Sequence, residues 1–218
     1  MKSVKKAIIA ALCAGTLVVG SVAGTMAYLT STDEVVNTFT VGNVAITLDE
    51  TDVDINGAQD GTTRVTENQY KLVPGHTYIK DPKIHVAPDS EDCYLFVKVK
   101  NEIDQIEGGT TVAQQMANNS WVVVSEAQPQ PGETVYVYTK NNALAVVKAN
   151  EAKDVDVFSN FTIKGDTTKE TLASYAPVKD ETGAVSSHKT ITVTAYAIQA
   201  DGFGGKTAAE IWKAANFN

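Results

Sequence analysis

Along most of this chain the apolar residues recur at every second position. In Cys93-Tyr94-Leu95-Phe96-Val97-Lys98-Val99-Lys100, residues 93, 95, 97 and 99 make one apolar face. The opposite face passes from Tyr94 and Phe96 to Lys98 and Lys100. That alternation predicts a strand covered on both sides at one end and wet on one side at the other. Ile191, Val193, Ala195 and Ala197 form a second such face against Thr190, Thr192, Thr194 and Tyr196. Further strands are expected over Thr38–Leu48, Thr77–Val86, Trp121–Ser125, Thr134–Thr139, Leu144–Lys148 and Val155–Lys164, where β-branched and aromatic residues concentrate. Turn clusters such as Pro129-Gln130-Pro131-Gly132, Asn141-Asn142 and Gly165-Asp166 separate them. Many short strands punctuated in this way predict an all-β fold: a two-sheet antiparallel sandwich, with a jelly roll as the leading topology.

Helices are expected only as connections and as a terminal element. Thr111–Asn118 and Thr168–Ser174 each have room for two turns. The strongest signal spans 207–216, where Thr207 and Glu210 form a Thr-x-x-Glu capping box and Ala208, Ile211, Trp212 and Ala215 follow at helical spacing. Such a helix is expected to seal one end of the sandwich.

The first 27 residues follow a different pattern. A basic start with Lys2, Lys5 and Lys6 precedes a nearly unbroken apolar run, Ala7 to Val19, and then the small and polar stretch Gly20 to Ala27. This is the order of a secretory signal peptide, and the run is short for a retained transmembrane anchor. Thr25-Met26-Ala27 is the preferred cleavage sequence, which makes Tyr28 the mature N-terminus; Val22-Ala23-Gly24 is the second option. Lipid attachment at Cys13 is rejected, because Leu12 stands where such a site needs a small residue. The chain as a whole carries 18 basic and 26 acidic groups; without the three leader lysines, 15 face 26, a net charge of −11. That excludes a phosphate-neutralising grip on nucleic acid. One remaining cysteine excludes an internal disulfide. The expected organisation is a leader over 1–27, an N-terminal segment over 28–37 and a single sandwich domain over 38–218.

Gly24-Thr25-Met26-Ala27-Tyr28-Leu29-Thr30-Ser31-Thr32-Asp33, followed by Phe39, Gly42 and Val44, resembles the start of the TasA/camelysin family of exported Gram-positive proteins. Leu72-Val73-Pro74-Gly75 before Lys80-Asp81-Pro82, and Thr192 to Phe203, add to the resemblance, which covers about a third of the chain; residues 101–188 have no part in it. The resemblance implies cleavage by a SipW-type signal peptidase between Ala27 and Tyr28, a jelly-roll sandwich, and a secreted structural subunit of cell-surface or biofilm matrix fibres. It further implies self-association in which an N-terminal segment is donated as a strand to a neighbouring subunit. The candidate donor is Tyr28–Val36, with Tyr28, Leu29, Val35 and Val36 as its apolar contacts.

Catalytic constellations are sparse. His76, His85 and His188 do not form a His-Glu-x-x-His helix, so the metalloendopeptidase activity attached to camelysin finds no zinc motif here. No enzyme is expected, a camelysin-like metalloendopeptidase standing as the remote alternative that the resemblance leaves open. Cys93 opens an apolar strand face and reads as a buried, inert thiol rather than a nucleophile. The best cation candidate is Asp52-Val53-Asp54-Ile55-Asn56-Gly57, with Asp60 in the ninth loop position; Asp52, Asp54, Asn56 and Asp60 could converge on a weakly held calcium ion. Thr63 occupies the twelfth position, where an EF-hand has its bidentate Glu, and a solvated acidic turn between strands is the competing and preferred reading. No other cofactor is expected. A second function class, a monomeric surface module for carbohydrate or host protein, would use Tyr94, Trp121, Tyr136 and Tyr138 as a stacking platform, unless those rings fill the core.

Overall fold

The computed structural model describes residues 43–148, 153–179, 185–187 and 189–217, all within one compact unit, Gly42–Asn218. The expected leader, the Ala27–Tyr28 bond, the donor candidates Tyr28, Leu29, Val35 and Val36, and His188 lie outside the described residues. The described part is mostly antiparallel β-structure.

The first described strand, β1, runs Ile46–Val53 and carries Asp52 inside it; it shares Ile46–Leu48 with the strand expected over Thr38–Leu48, whose residues 38–42 lie outside the described ones. The β2 strand, Gln59–Val65, pairs with its second half and has no counterpart in the sequence expectations. The single strand expected over Thr77–Val86 is two, β3 (Thr77–Ile79) and β4 (Lys83–Val86). They separate at Lys80-Asp81-Pro82, because proline has no N–H to continue a ladder. Next come β5 (Cys93–Asn101), a 3₁₀ turn at Asp104–Ile106, the short β6 (Glu107–Gly108) and helix α1 (Val112–Asn118), capped by the Thr111 hydroxyl. Strands β7 (Trp121–Val123), β8 (Glu133–Lys140) and β9 (Ala143–Leu144) follow. The strand expected over Leu144–Lys148 shrinks to Leu144 plus one bridge, in which Val147 exchanges both backbone bonds with Cys93 at 3.0 and 2.8 Å.

The strand expected over Val155–Lys164 also divides, into β10 (Lys153–Asp156) and β11 (Asn160–Ile163). Its break meets the Pro82 break: Val157 N–H donates to Pro82 O at 2.9 Å, and Lys80 N–H donates to Ser159 O at 3.3 Å. β4 pairs with β10 and β3 with β11, so one long hairpin-like ribbon is bent at a single place and feeds two sheets. Helix α2 (Lys169–Ala173), the small pair β12 (Val178–Lys179) and β13 (Val185–Ser187), strand β14 (Ile191–Gln199) and helix α3 (Ala208–Ala215) complete the order.

The larger sheets are β10-β4-β1-β2 and β14-β5-β8-β7, with β9 added on β8; a third, β3-β11-β6, is smaller. The inner face of β5 (Cys93, Leu95, Val97, Val99) shares one buried cluster with Ile84 and Val86 of β4, Val155 of β10, and Tyr78 and Phe161. That cluster, contributed by facing sheets, is the core of the sandwich. On the other side of the β5 sheet, Tyr94, Phe96, Val135 and Val137 pack against Ile211 and Trp212 of α3. The expected capping box is present, with Thr207 Oγ1 accepting from Glu210 N–H and Glu210 accepting from Thr207 N–H at 2.7 Å. Asn216 ends the helix in the left-handed conformation, φ 52°. The terminal helix, expected to seal one end of the sandwich, instead covers the outer face of the β5 sheet, where Tyr94 and Phe96 supply apolar surface; the passage of β5 from doubly covered to half wet is observed.

Candidate functional site

Two places in the described unit have the makings of a site: the acidic turn between β1 and β2, and the edge at β14. In the turn, strand pairing sets the geometry. Asp52 belongs to β1 and accepts from Thr63 Oγ1 across the hairpin at 3.2 Å, while Asp60 belongs to β2. Asp54 begins the turn, and its Oδ1 accepts from the backbone N–H of Asn56 (2.8 Å) and Ala58 (3.0 Å). Those bonds, the one from Ala58 foremost, hold the Asp54 carboxyl below the usual carboxylate range. Gly57 closes the turn at φ 77°, and a Cβ there would lie 2.7 Å from the Tyr78 ring, so glycine is required on both counts. The Asn56 carbonyl is 2.7 Å from His76 Nε2. The four candidate ligands therefore sit on two strands and a turn, with Asp52 and Asp54 each already engaged in protein hydrogen bonds. Among the described residues no group of three or more His, Cys, Asp or Glu is arranged to hold a metal ion.

At the second place, β14 is, among the described residues, the terminal strand of its sheet, paired to β5 in unbroken register from Ile191↔Asn101 to Gln199↔Cys93. Glu102 N–H donates to Thr190 O and Ala200 N–H donates to Asp92 O. The even-numbered residues therefore turn their backbone groups toward β5, and those of Ile191, Val193, Ala195 and Ala197 face the open edge. The same four side chains are only half-buried. Beside the start of β14 lies a groove of about 770 Å³, walled by Leu48, Leu72, Phe161, Ile191 and Val193. Its polar end holds the buried Glu50, which accepts from Lys80 Nζ at 2.6 Å and from Asn68 Nδ2 at 2.9 Å. Tyr70 lines the groove, donates to Ile79 O at 2.9 Å, and has its phenol pKa raised by burial and then by the Glu50 and Asp81 charges.

The outer face of the four-stranded sheet carries a third arrangement that the sequence did not announce. His85 of β4 lies between two carboxylates, Nδ1 2.7 Å from Asp154 Oδ1 on β10 and Nε2 2.9 Å from Asp49 Oδ1 on β1. Arg64 of β2 continues the row by donating Nε–H to Asp49 Oδ1. Its Nη1 reaches Thr51 (3.2 Å) and Asp81 Oδ2 (3.1 Å), and its Nη2 reaches the backbone oxygens of Asp49 (3.1 Å) and Asp81 (3.0 Å). Burial opposes ionisation of Asp49 and Asp81, but the hydrogen bonds they accept outweigh it and hold both below the usual range. The His85 ring is thus partly exposed, yet both of its nitrogens are engaged.

Cys93 is fully buried, and burial followed by the Asp92 charge pushes its thiol up to about 11, as expected of an inert core cysteine. Of the proposed stacking platform, Tyr94, Trp121 and Tyr136 are buried, and Tyr138 packs against the core at 5.3 Å from the Trp121 ring. Trp121 Nε1 donates to Asp156 O at 2.9 Å. These rings fill the interior on both faces of the sheet instead of presenting a surface. No helix among the described residues is long and apolar enough to cross a membrane. Compared with known proteins, the chain matches no family model, no curated protein and no solved structure.

Proposed function

We propose that this protein is an exported structural subunit that assembles into surface or matrix fibres by strand addition. In this reading the β14 edge and its groove accept the N-terminal segment of a neighbouring copy, beginning at Tyr28 after cleavage of the leader. The observation that carries it is the character of β14. Nine residues of edge run without a bulge, a proline or a lysine, the devices by which sheet proteins ordinarily protect an open edge. The backbone groups of Ile191, Val193, Ala195 and Ala197 face the edge, and their half-buried apolar side chains pack against the core beside it. An added strand would gain hydrogen bonds from the first set and apolar contact from the second. The resemblance of residues 24–44 to TasA-type proteins supports the same reading and supplies the donor, Tyr28–Val36.

The test uses the chain from Tyr28 to Asn218 and a version lacking residues 28–36. Light scattering and negative-stain microscopy are expected to show filaments for the first and monomers for the second. Filaments formed at equal rate by the truncated chain would sink strand donation. Monomers from both chains in every condition would sink the fibre subunit itself.

A further inference from the structure

The row Asp154–His85–Asp49–Arg64 crosses all four strands of the β10-β4-β1-β2 sheet, one residue from each. A neutral imidazole has one N–H and one lone pair, so it can donate to one carboxylate only; the imidazolium donates to both. We propose that His85 is a proton-operated latch: protonated, it ties the terminal strand β10 through β4 to β1, and on losing its proton it lets go of Asp154 and loosens β10.

The side chain released is set by the surroundings of the two carboxylates. Asp49 is the more enclosed, 25% exposed against 59% for Asp154, and keeps the Arg64 guanidinium when the imidazole is neutral. The remaining proton therefore stays on Nε2 toward Asp49. The bare Nδ1 then faces Asp154 lone pair to lone pair, and Asp154 turns to water. The other groups on this face leave that choice intact. Thr47, the register partner of His85 on β1, carries no charge. Lys83 on β4 is 3.3 Å from Asp156 on β10, a second tie between the same two strands that does not involve the imidazole. Asp81 is satisfied by Thr51 and Arg64. Burial alone would lower the imidazole pKa, but the bonds to Asp49 and Asp154 and their charges raise it above 6.5. The sign follows: latch stabilisation is complete below the ordinary histidine pKa and is lost as pH rises through the raised folded value.

The experiment records imidazole ¹⁵N shifts and backbone amide exchange in the full chain from pH 5 to 9. His85 is expected to titrate above 6.5, to carry its proton on Nε2 when neutral, and to hold both protons below its midpoint. Protection at Lys153 and Val155, whose amides face β4, corrected for intrinsic exchange, should fall with the same midpoint, about tenfold for each unit by which that midpoint exceeds 6.5. Amides of β5 should keep theirs. His85→Gln should flatten the β10 profile, and so should Asp154→Asn, which alters an exposed side chain and serves if the first variant folds poorly. A midpoint at or below 6.5, a neutral ring protonated on Nδ1, or a pH-dependent β10 in either variant would overturn the latch.

Discussion

Strands β5 and β14 lie side by side for nine residues, carry the same alternation of apolar and polar positions, and end in different surroundings. From Cys93 through Val97 every residue of β5 is buried; not one residue of β14 is. Composition does not separate them, since Val99 and Val193 are register partners of one residue type. What separates them is place in the sheet: β5 has β14 and β8 on its flanks, the core beneath and α3 above, whereas among the described residues β14 has a hydrogen-bonded strand on one side only. Periodicity decides which face a residue takes; the number of neighbouring strands decides how much water it loses.

The largest expected break in this comparison is at the outer face under α3. Phe96 is fully buried, 5.6 Å from the Trp212 ring, and its register partner Tyr196 is half-buried at 5.2 Å from the same ring. Phe96→Ala should lower unfolding stability by about 4 kcal/mol and Tyr196→Ala by about half that. Urea unfolding of the monomer with unchanged denaturant dependence checks both, and equal losses would contradict the account. A smaller and sharper test uses the two partner valines. Val99→Ala should cost about 2 kcal/mol and Val193→Ala about 1 kcal/mol, the same atoms being removed from a closed and a half-open site. If the edge accepts a strand, Val193→Ala should also slow assembly while Val99→Ala, adjusted for stability, should not; light-scattering rates decide it.

The same contrast governs what could be read from the chain alone. Strands β5 and β14 and the helix after Thr207 were legible because each carries its own signal, a period of two or a capping box. The β2 strand was not, since Gln59-Asp60-Gly61-Thr62-Thr63-Arg64-Val65 has no apolar alternation and is held partly by Arg64, whose partners lie on β1 and beside Pro82. The paired breaks at Pro82 and Val157–Ser159 become visible only when two distant segments meet. His85 lies 36 residues from Asp49 and 69 from Asp154, so no local motif could announce their contact. For the acidic run the residue types and spacing were plain, but the hairpin distributes Asp52, Asp54 and Asp60 over strand, turn and strand. The aromatic residues were correctly seen as strand-borne, and burial settles Tyr94, Trp121 and Tyr136 as core.

Cys93, the one cysteine among the described residues, gives the molecule a built-in chemical clock. A thiol that is fully buried and held as the neutral form reacts with an alkylating reagent only in molecules that have opened around it. Its labelling rate under native conditions is then the intrinsic rate multiplied by the fraction of chains open at that instant. Cys93 is held by two backbone hydrogen bonds to Val147 on one side and is the register partner of Gln199 on the other, so the labelling rate reports opening at the start of β5. A reagent, a stopwatch and a mass measurement would thus time the breathing of this fold without altering a single residue.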